Sequence, residues 1–460
     1  MSKKKLNIIL LCAGKSSRLK FNLPKVILPI NGKTLIERSL HNLNQLKPDK
    51  IIIVAGFKKE LVINLVNNLK YESIDFAYQK NQLGTGDAVK QSLRKVDSNS
   101  VSLILNGDTP FVDLETIKSA LSFYYKNNSD FTIATSIPSS SFGYGRILRD
   151  NENQILDIVE ERDCNSEQRL IREVNSGLYL INSSFLKKYI NEIKKNKNSE
   201  YYLTDLVNIF IRKGKKVHSI PIKDERKFVN INTFDDYKNA HDLDRMFIYE
   251  ECIKNNISLE DPNSFQKGLD VKISKNVHIG PNVILSGLTV LKENVRIEGN
   301  SYIKDSTIGK GTVIKPFTSI ESSLIGSSSQ VGPFSNIRPE STIKNNVKIG
   351  NFVELKKSNI GSKSKVPHLS YIGDTDMGSG VNIGAGTITC NYDGFDKHKT
   401  IIEDNVFVGS DTMLLAPIRL GAGSTTGAGS ILNSDLPKNT LGVTRIKEKH
   451  ISNWKRRPKK

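Results

Sequence analysis

Cysteine is scarce in this 460-residue chain, and its four copies stand far apart at Cys12, Cys164, Cys252 and Cys390. They form no Cys-x-x-Cys pair, which argues against a disulfide framework or a structural zinc site and fits a reducing cytoplasm. A single tryptophan and the absence of any recognised module leave no platform for stacking bases, so no nucleic-acid partner is expected. No apolar run approaches the ~18 residues of a membrane-spanning helix, so no membrane partner is expected either. Lys3, Lys4 and Lys5 before Leu6 to Ala13 imitate a short leader. That stretch contains Asn7 and runs into Gly14-Lys15-Ser16-Ser17-Arg18 with no small-residue cleavage pattern, so it reads as a buried first strand. Acidic residues are in deficit, 48 against 67 Lys and Arg, for a formal net charge of +19. The excess suits anionic partners such as phosphorylated small molecules, and it equally suits a coat of solvated lysines.

The length exceeds what one hydrophobic core supports, so two or three domains are expected. In the first half, Leu6–Leu11, Ile51–Ala55, Val101–Leu105 and Phe131–Thr135 read as buried strands. Leu35–Leu46, Gly86–Leu93 and Leu114–Lys126 read as helices, and the alternation predicts a Rossmann-like open α/β sheet with ligands at the carboxyl ends of its strands. The second half has a period of six. Apolar residues fall at Ile273, Ile279, Leu285, Leu291, Ile297 and Ile303, then after a one-residue slip at Ile308, Ile314 and Ile320. The series continues from Ile325 through Leu355, from Ile360 through Ile372, and from Ile402 through Leu420. Neither a helix nor a flat strand sustains that period, whereas a triangular coil with six residues per side does, which predicts a left-handed parallel β-helix of hexapeptide repeats. Thr233 to Ile253 has few breakers and reads as a helical linker, which places an α/β domain at 1–232, the linker at 233–253 and the β-helix at 254–460.

Chemistry concentrates at strand ends and at breaks in the repeat. Leu11-Cys12-Ala13-Gly14 follows the first strand, and its small residues let backbone N–H groups approach phosphate oxygens; Arg18 and Lys25 add positive charge. A generic strand-to-helix turn carries glycine too, and the loop is neither a Walker A motif nor a dinucleotide fingerprint. Gln79 and Gln82-Leu83-Gly84-Thr85-Gly86 pair amides able to read a base edge with a second glycine turn. Asn106-Gly107-Asp108 ends a buried strand, where a carboxylate needs a partner or a metal; Asn230, at another strand end, offers a second oxygen, and the two would suffice for magnesium. Asp108 in Asp-Thr-Pro is also an ordinary turn residue. In the β-helix, His368 is a titratable base where the repeat is decorated, or else a plain corner histidine. Arg338 and Lys356 lie one 18-residue coil apart and should stack as a cationic clamp. The loop Thr389-Cys390-Asn391-Tyr392-Asp393-Gly394, after Asn382 to Thr387, breaks the rhythm, as functional interruptions do.

With Gly143-Tyr144-Gly145-Arg146-Ile147, Val159-Glu160-Glu161, Asn175-Ser176-Gly177 and Tyr201-Tyr202-Leu203-Thr204-Asp205, these segments resemble the sugar-1-phosphate nucleotidyltransferases. More specifically they resemble the family of bifunctional N-acetylglucosamine-1-phosphate uridylyltransferase/glucosamine-1-phosphate acetyltransferases. The resemblance spans nearly the whole chain and is tightest from Val331 to Ser410. It implies a cytoplasmic enzyme that acetylates glucosamine-1-phosphate from acetyl-CoA and couples the resulting N-acetylglucosamine-1-phosphate to UTP, with Mg2+ at Asp108 and Asn230. Leu11, Cys12, Ala13, Gly14, Lys25, Gln79, Gly84 and Thr85 would hold the uridine nucleotide; Gly143, Glu160, Asn175 and Thr204 would surround the amino sugar. His368 would be the general base, with Arg338, Lys356, Tyr371 and Asn382 on the acetyl acceptor. Ala385, Asn391, Tyr392, Ser410, Ala428 and Arg445 would contact acetyl-CoA, and Lys397 is a further candidate. The family forms homotrimers through its β-helices. This chain departs from the pattern at Cys12 (commonly alanine), Ser16-Ser17 (Gly-Thr), Asp87 (histidine) and Phe228 to Asn232 (Gly-Val-Asn-Asn-Arg). Two other readings stand beside this one: a nucleotidyltransferase whose β-helix only oligomerises, and a basic non-enzymatic scaffold.

Overall fold

The computed structural model describes residues 5–15, 19, 21–197, 199–444 and 447–456, and the chain divides into two compact units, Met1–Asp244 and Arg245–Lys460. In the first unit the main sheet runs Val217–Pro221, Phe131–Ser136, Val174–Asn182, Ser100–Asn106, Lys5–Cys12, Lys50–Ala55 and Ile74–Tyr78. The strand Lys5–Cys12 pairs in parallel with Lys50–Ala55 on one side and Ser100–Asn106 on the other. The strand order therefore reverses beside it, and in open α/β sheets the ligand crevice lies at that switch point, past the carboxyl ends. Successive residues of the central strands feed opposite faces: Ile8, Leu10, Ile51, Ile53 and Leu103 enter one core, Ile9, Ile52, Val54 and Ile104 the other. Both faces are thus buried, which is why these strands read as continuous apolar runs. Val174–Asn182, which the strand–helix alternation did not announce, is antiparallel to both its neighbours.

Local chemistry sets the helix starts. Leu35–Asn44 begins at a reciprocal Thr34–Glu37 box, and Leu114–Lys126 begins where the Asp113 side chain accepts from Thr116 N–H at 2.9 Å. The 21-residue helix Phe234–Lys254 opens with Asp236 accepting from Thr233 N–H at 2.8 Å while Thr233 Oγ1 accepts from Asp236 N–H at 3.1 Å.

In the second unit short strands pair in parallel, coil upon coil, and the inward positions of the six-residue series form one continuous core from Cys252 to Leu432. One face is a separate nine-stranded sheet whose inward residues are Ile273, Leu291, Ile308, Ile325, Ile343, Ile360, Met377, Ile402 and Leu420. These are 17 or 18 residues apart, apart from the 25-residue step between Met377 and Ile402 that holds the 390–399 loop. From the nine-stranded face onto each of the other two in turn the spacing is six, as in Ile308, Ile314 and Ile320. Buried hydroxyls close the corners: Thr312 donates to Gly326 O at 2.7 Å and Ser364 to Gly378 O at 2.8 Å. At one edge the corner residue is left-handed, with Phe317, Phe334, Phe352 and Leu369 at φ 60, 53, 57 and 42°. The three exposed phenylalanine rings stack there, with centroids 4.8 and 5.3 Å apart. Asn351 and His368 each directly precede one of these corner residues.

Candidate active sites

At the switch point of the α/β unit the loop after the first strand and the end of Ser100–Asn106 are packed backbone to backbone. Gly107 N–H donates to Leu11 O at 2.9 Å, and a side chain at Gly107 would meet Cys12 Sγ at 2.7 Å and Leu11 O at 2.9 Å. Burial pushes the Cys12 thiol far up, so it fills space as an inert neutral group. Lys25 Nζ donates to Asp108 Oδ2 at 2.7 Å and to Asn232 Oδ1 at 2.8 Å, and Ile231 N–H bonds Asp108 O at 3.3 Å. Asn230 lies in the same segment, and its Oδ1 is buried with no hydrogen-bond partner. Asn230 follows the helical turn Glu225–Phe228 rather than the strand end its sequence suggested. Its orphaned buried carbonyl oxygen, in the segment that bonds the Asp108 backbone, is a donor a hard divalent cation accepts, so these residues fit a divalent metal. Arg18 lies outside the described residues.

The Gly84 and Tyr201 loops are zipped together. Gly84 has φ +98°, and a side chain there would meet Tyr201 O at 2.5 Å. Gly86 N–H donates to Tyr201 O and Tyr201 N–H to Leu83 O, each at 2.8 Å, while Thr85 Oγ1 accepts from Leu203 N–H at 3.0 Å. Tyr201-Tyr202-Leu203-Thr204 thereby carries Thr204 into contact with Glu160, bonded at 2.9 Å. Burial raises the Glu160 carboxyl above the usual carboxylate range, opposed by that bond. Asn175 N–H bonds Gly145 O at 2.9 Å, and Asn175 Nδ2 donates to Tyr179 Oη at 2.7 Å, so Glu160, Thr204, Gly145 and Asn175 form one cluster. Gly143 sits at its rim with its N–H on Glu161 at 3.1 Å.

In the β-helix, His368 pairs with Asn351 across adjacent coils, and its Nδ1 lies 2.8 Å from Asn351 Oδ1. The register Lys348, Lys365, Asn382, Phe407, Thr425 carries that column onward through Ala385, Ser410 and Ala428. Its backbone is laddered: Asp411 N–H bonds Ala385 O and Gly429 N–H bonds Ser410 O, each at 2.7 Å. Asn382 is three residues upstream of the column. The strand Lys365–Gly373 passes unbroken round the edge, so it carries His368 and, on the next face, Tyr371. On that face Arg338 and Lys356 stack, Arg338 N–H bonding Leu355 O at 2.9 Å. Arg338 pairs with Glu354 at 2.9 Å. The Lys397 ammonium, reaching in from the loop, holds Lys356 below the ordinary lysine value. Three cations thus crowd together, an arrangement that a phosphate would relieve. Asn391 is buried and bonds Asp374 on the Lys356 side, away from the Ala385 column, while Tyr392 is exposed. Arg445 lies outside the described residues.

Comparison with known proteins follows the same division. The Nucleotidyl transferase model matches residues 7–245, and the GMPPB C-terminal domain model matches residues 268–340. The chain is 38% identical to the Bifunctional protein GlmU of Baumannia cicadellinicola over 99% of this chain and 98% of that one. It is 38% identical to that of Methylococcus capsulatus (97% and 96% covered) and 39% identical to that of Carboxydothermus hydrogenoformans (96% and 98%). The chain belongs to the bifunctional GlmU family. Sequence reasoning missed several residues of this GlmU-family chain. Asn351 stands one coil before His368, a spacing of 17 that was there to be counted. Asp374 and Glu354 have no signal without the register, and Asn232 was visible only within the Phe228 to Asn232 departure. Asp87 was visible only as a departure from the family pattern, yet it bonds Gln79 at 2.8 Å.

Proposed function

We propose that this chain makes a nucleotide sugar in two steps: acetyl transfer from acetyl-CoA to glucosamine-1-phosphate on the β-helix, then uridylyl transfer from UTP to N-acetylglucosamine-1-phosphate on the α/β unit. As a family member it is an enzyme with both an acetyltransferase and a uridylyltransferase activity. The observation that carries the acetyl half is the Asn351–His368 pair, one face from the Arg338, Lys356 and Lys397 cluster. Asn351 Oδ1 accepts from His368 Nδ1–H, which fixes the tautomer and leaves Nε2 to take the amine proton. The amine nitrogen then bonds the thioester carbonyl carbon, the C–S bond breaks, and the thiolate leaves with the imidazolium's proton. The cationic cluster, with Tyr371 and Asn382, holds the sugar phosphate, and the Ala385, Ser410 and Ala428 column supports the acyl carrier, with the exposed Tyr392 from the loop; Asn391, turned to Asp374, stands instead on the Lys356 side.

In the second step a phosphate oxygen of the sugar attacks the α-phosphorus of UTP and the bond to pyrophosphate breaks, which requires alignment and charge neutralisation rather than a protein nucleophile. Backbone N–H groups of 11–14 and the Lys25 ammonium bind the phosphates, and Gln79, Gly84 and Thr85 take the uridine. Held by Asp108 and Asn230, Mg2+ supplies further neutralisation of phosphate charge. We place the enzyme in the cytoplasm as a homotrimer; no helix among the described residues is long and apolar enough to cross a membrane. CoA thiol release with acetyl-CoA and glucosamine-1-phosphate alone, followed by pyrophosphate release on adding UTP and Mg2+, tests both activities. His368→Ala should abolish the first and spare the second. No thiol release with normal uridylyl transfer would make the β-helix structural only.

A further inference from the structure

Gln79 follows the strand Ile74–Tyr78 at the carboxyl edge of the parallel sheet, where the base is expected, and it is only 4% exposed. Its amide has two hydrogens and both are spent: Nε2 donates to Gly84 O at 2.9 Å and to Asp87 Oδ2 at 2.8 Å. Its Oε1 accepts no hydrogen bond from the described residues. The amide cannot be turned over, because Oε1 would then face a carboxylate and a carbonyl, each an acceptor only. Asp87 is itself held, since Gln91 Nε2, one turn along the helix Thr85–Ser92, donates to Asp87 Oδ1 at 3.0 Å. Asp87 also stands where the family usually has histidine.

We infer that Asp87 is a positioning residue that locks Gln79 as a pure hydrogen-bond acceptor, and that this lock selects uracil over cytosine. The inference rests on the uridylyl transfer proposed above. Uracil carries N3–H, which an acceptor-only amide binds. Cytosine carries a lone pair at the same position, which faces Oε1 as acceptor against acceptor. Discrimination of this kind is large because a buried polar group is left unpaired by the wrong base. Removing the carboxylate frees one amide hydrogen and lowers the barrier to the flipped amide, which offers N–H to cytosine N3.

The test is kcat/KM for UTP and for CTP with N-acetylglucosamine-1-phosphate, measured on the full chain as wild type, Asp87→Ala and Asp87→Asn. Acetyl transfer is followed in parallel as a control for folding. The expected result is a UTP preference in the wild type that falls about tenfold or more in Asp87→Ala, the size of one lost charge-assisted bond. Asparagine, which still offers an acceptor to Nε2, should restore most of it. An Asp87→Ala ratio equal to that of the wild type, or equal turnover of UTP and CTP by the wild type, overturns the inference while leaving uridylyl transfer in place. Absence of pyrophosphate release from UTP in the wild type refutes the uridylyl reading itself.

Discussion

Asp205 follows Thr204 at the edge of the Glu160–Thr204 cluster, and burial, reinforced by the Asp157, Glu160 and Asp163 carboxylates, pushes its carboxyl up to about 6. In the unfolded chain the same group titrates near ~3.9. At pH values below both, the carboxyl is neutral in either state and costs nothing. As pH rises through the interval the unfolded chain ionises first, so stability is lost, and above about 6 the full penalty is present. A rise of that size corresponds to about 3 kcal/mol. Partial solvent exposure and the amino end of the helix Leu206–Arg212, which favours an anion, reduce it to about 1–2 kcal/mol. Asp205→Asn keeps the shape and removes the charge. In calorimetry at pH 7.5 the transition of the α/β unit should rise by about 3–6 °C, since about 1 kcal/mol moves a domain of this size by ~2–4 °C. At about pH 3.5, below both values, most of the gain should vanish. An unchanged transition at pH 7.5, or an equal gain at both pH values, refutes the electrostatic reasoning.

A side chain at Gly350 would overlap the Pro367 carbonyl beside His368, so Gly350→Ala should destabilise the β-helix by about 1–3 kcal/mol. In a thiol-release assay it should cut acetyl transfer more than about tenfold, by displacing the base, with uridylyl transfer intact. Asn351→Ala removes the acceptor on His368 Nδ1 and should slow acetyl transfer by about 2- to 10-fold; Asn351→Asp, still an acceptor, should recover most of the rate. Asp108→Ala should abolish pyrophosphate release and spare thiol release, and chelation of divalent metal should do the same to the wild type.

What the sequence made legible was what repeats. The six-residue series names the inward column almost residue by residue, because one buried side chain per face is the condition for closing each coil. In the α/β unit the strand Lys5–Cys12 and the helix Leu114–Lys126 lie where the apolar patterning placed them. Less legible were contacts that depend on register between distant segments. The seam between Gly84–Gly86 and Tyr201–Leu203 joins loops more than a hundred residues apart, and nothing local in either announces the other. The antiparallel strand Val174–Asn182 was hidden for a related reason: it is buried on both faces like its parallel neighbours, so its composition does not reveal its direction. Asn232 was noticed only as an oddity, and its bond to Lys25 gives the oddity a physical role.

From Ile273 to Leu432 the changes of length between inward residues fall on one edge of the β-helix. The five-residue links Ile303 to Ile308, Ile320 to Ile325, Leu355 to Ile360 and Ile372 to Met377, and the 390–399 loop, all lead onto the nine-stranded face. The other links over this range keep six residues; the first coil differs, with eight residues from Leu259 to Lys267. An insertion at that edge bulges into solvent and leaves the next inward residue in place. The permissive edge is the one beside Lys356, Asp374 and Asn391. The edge that bears His368, Ala385, Ser410 and Ala428 keeps its six-residue link from Ile279 onward. A loop exchanged beside Lys356, Asp374 and Asn391 can therefore change size without moving a coil, while the column through His368, Ala385, Ser410 and Ala428 behaves as a ruler of fixed pitch.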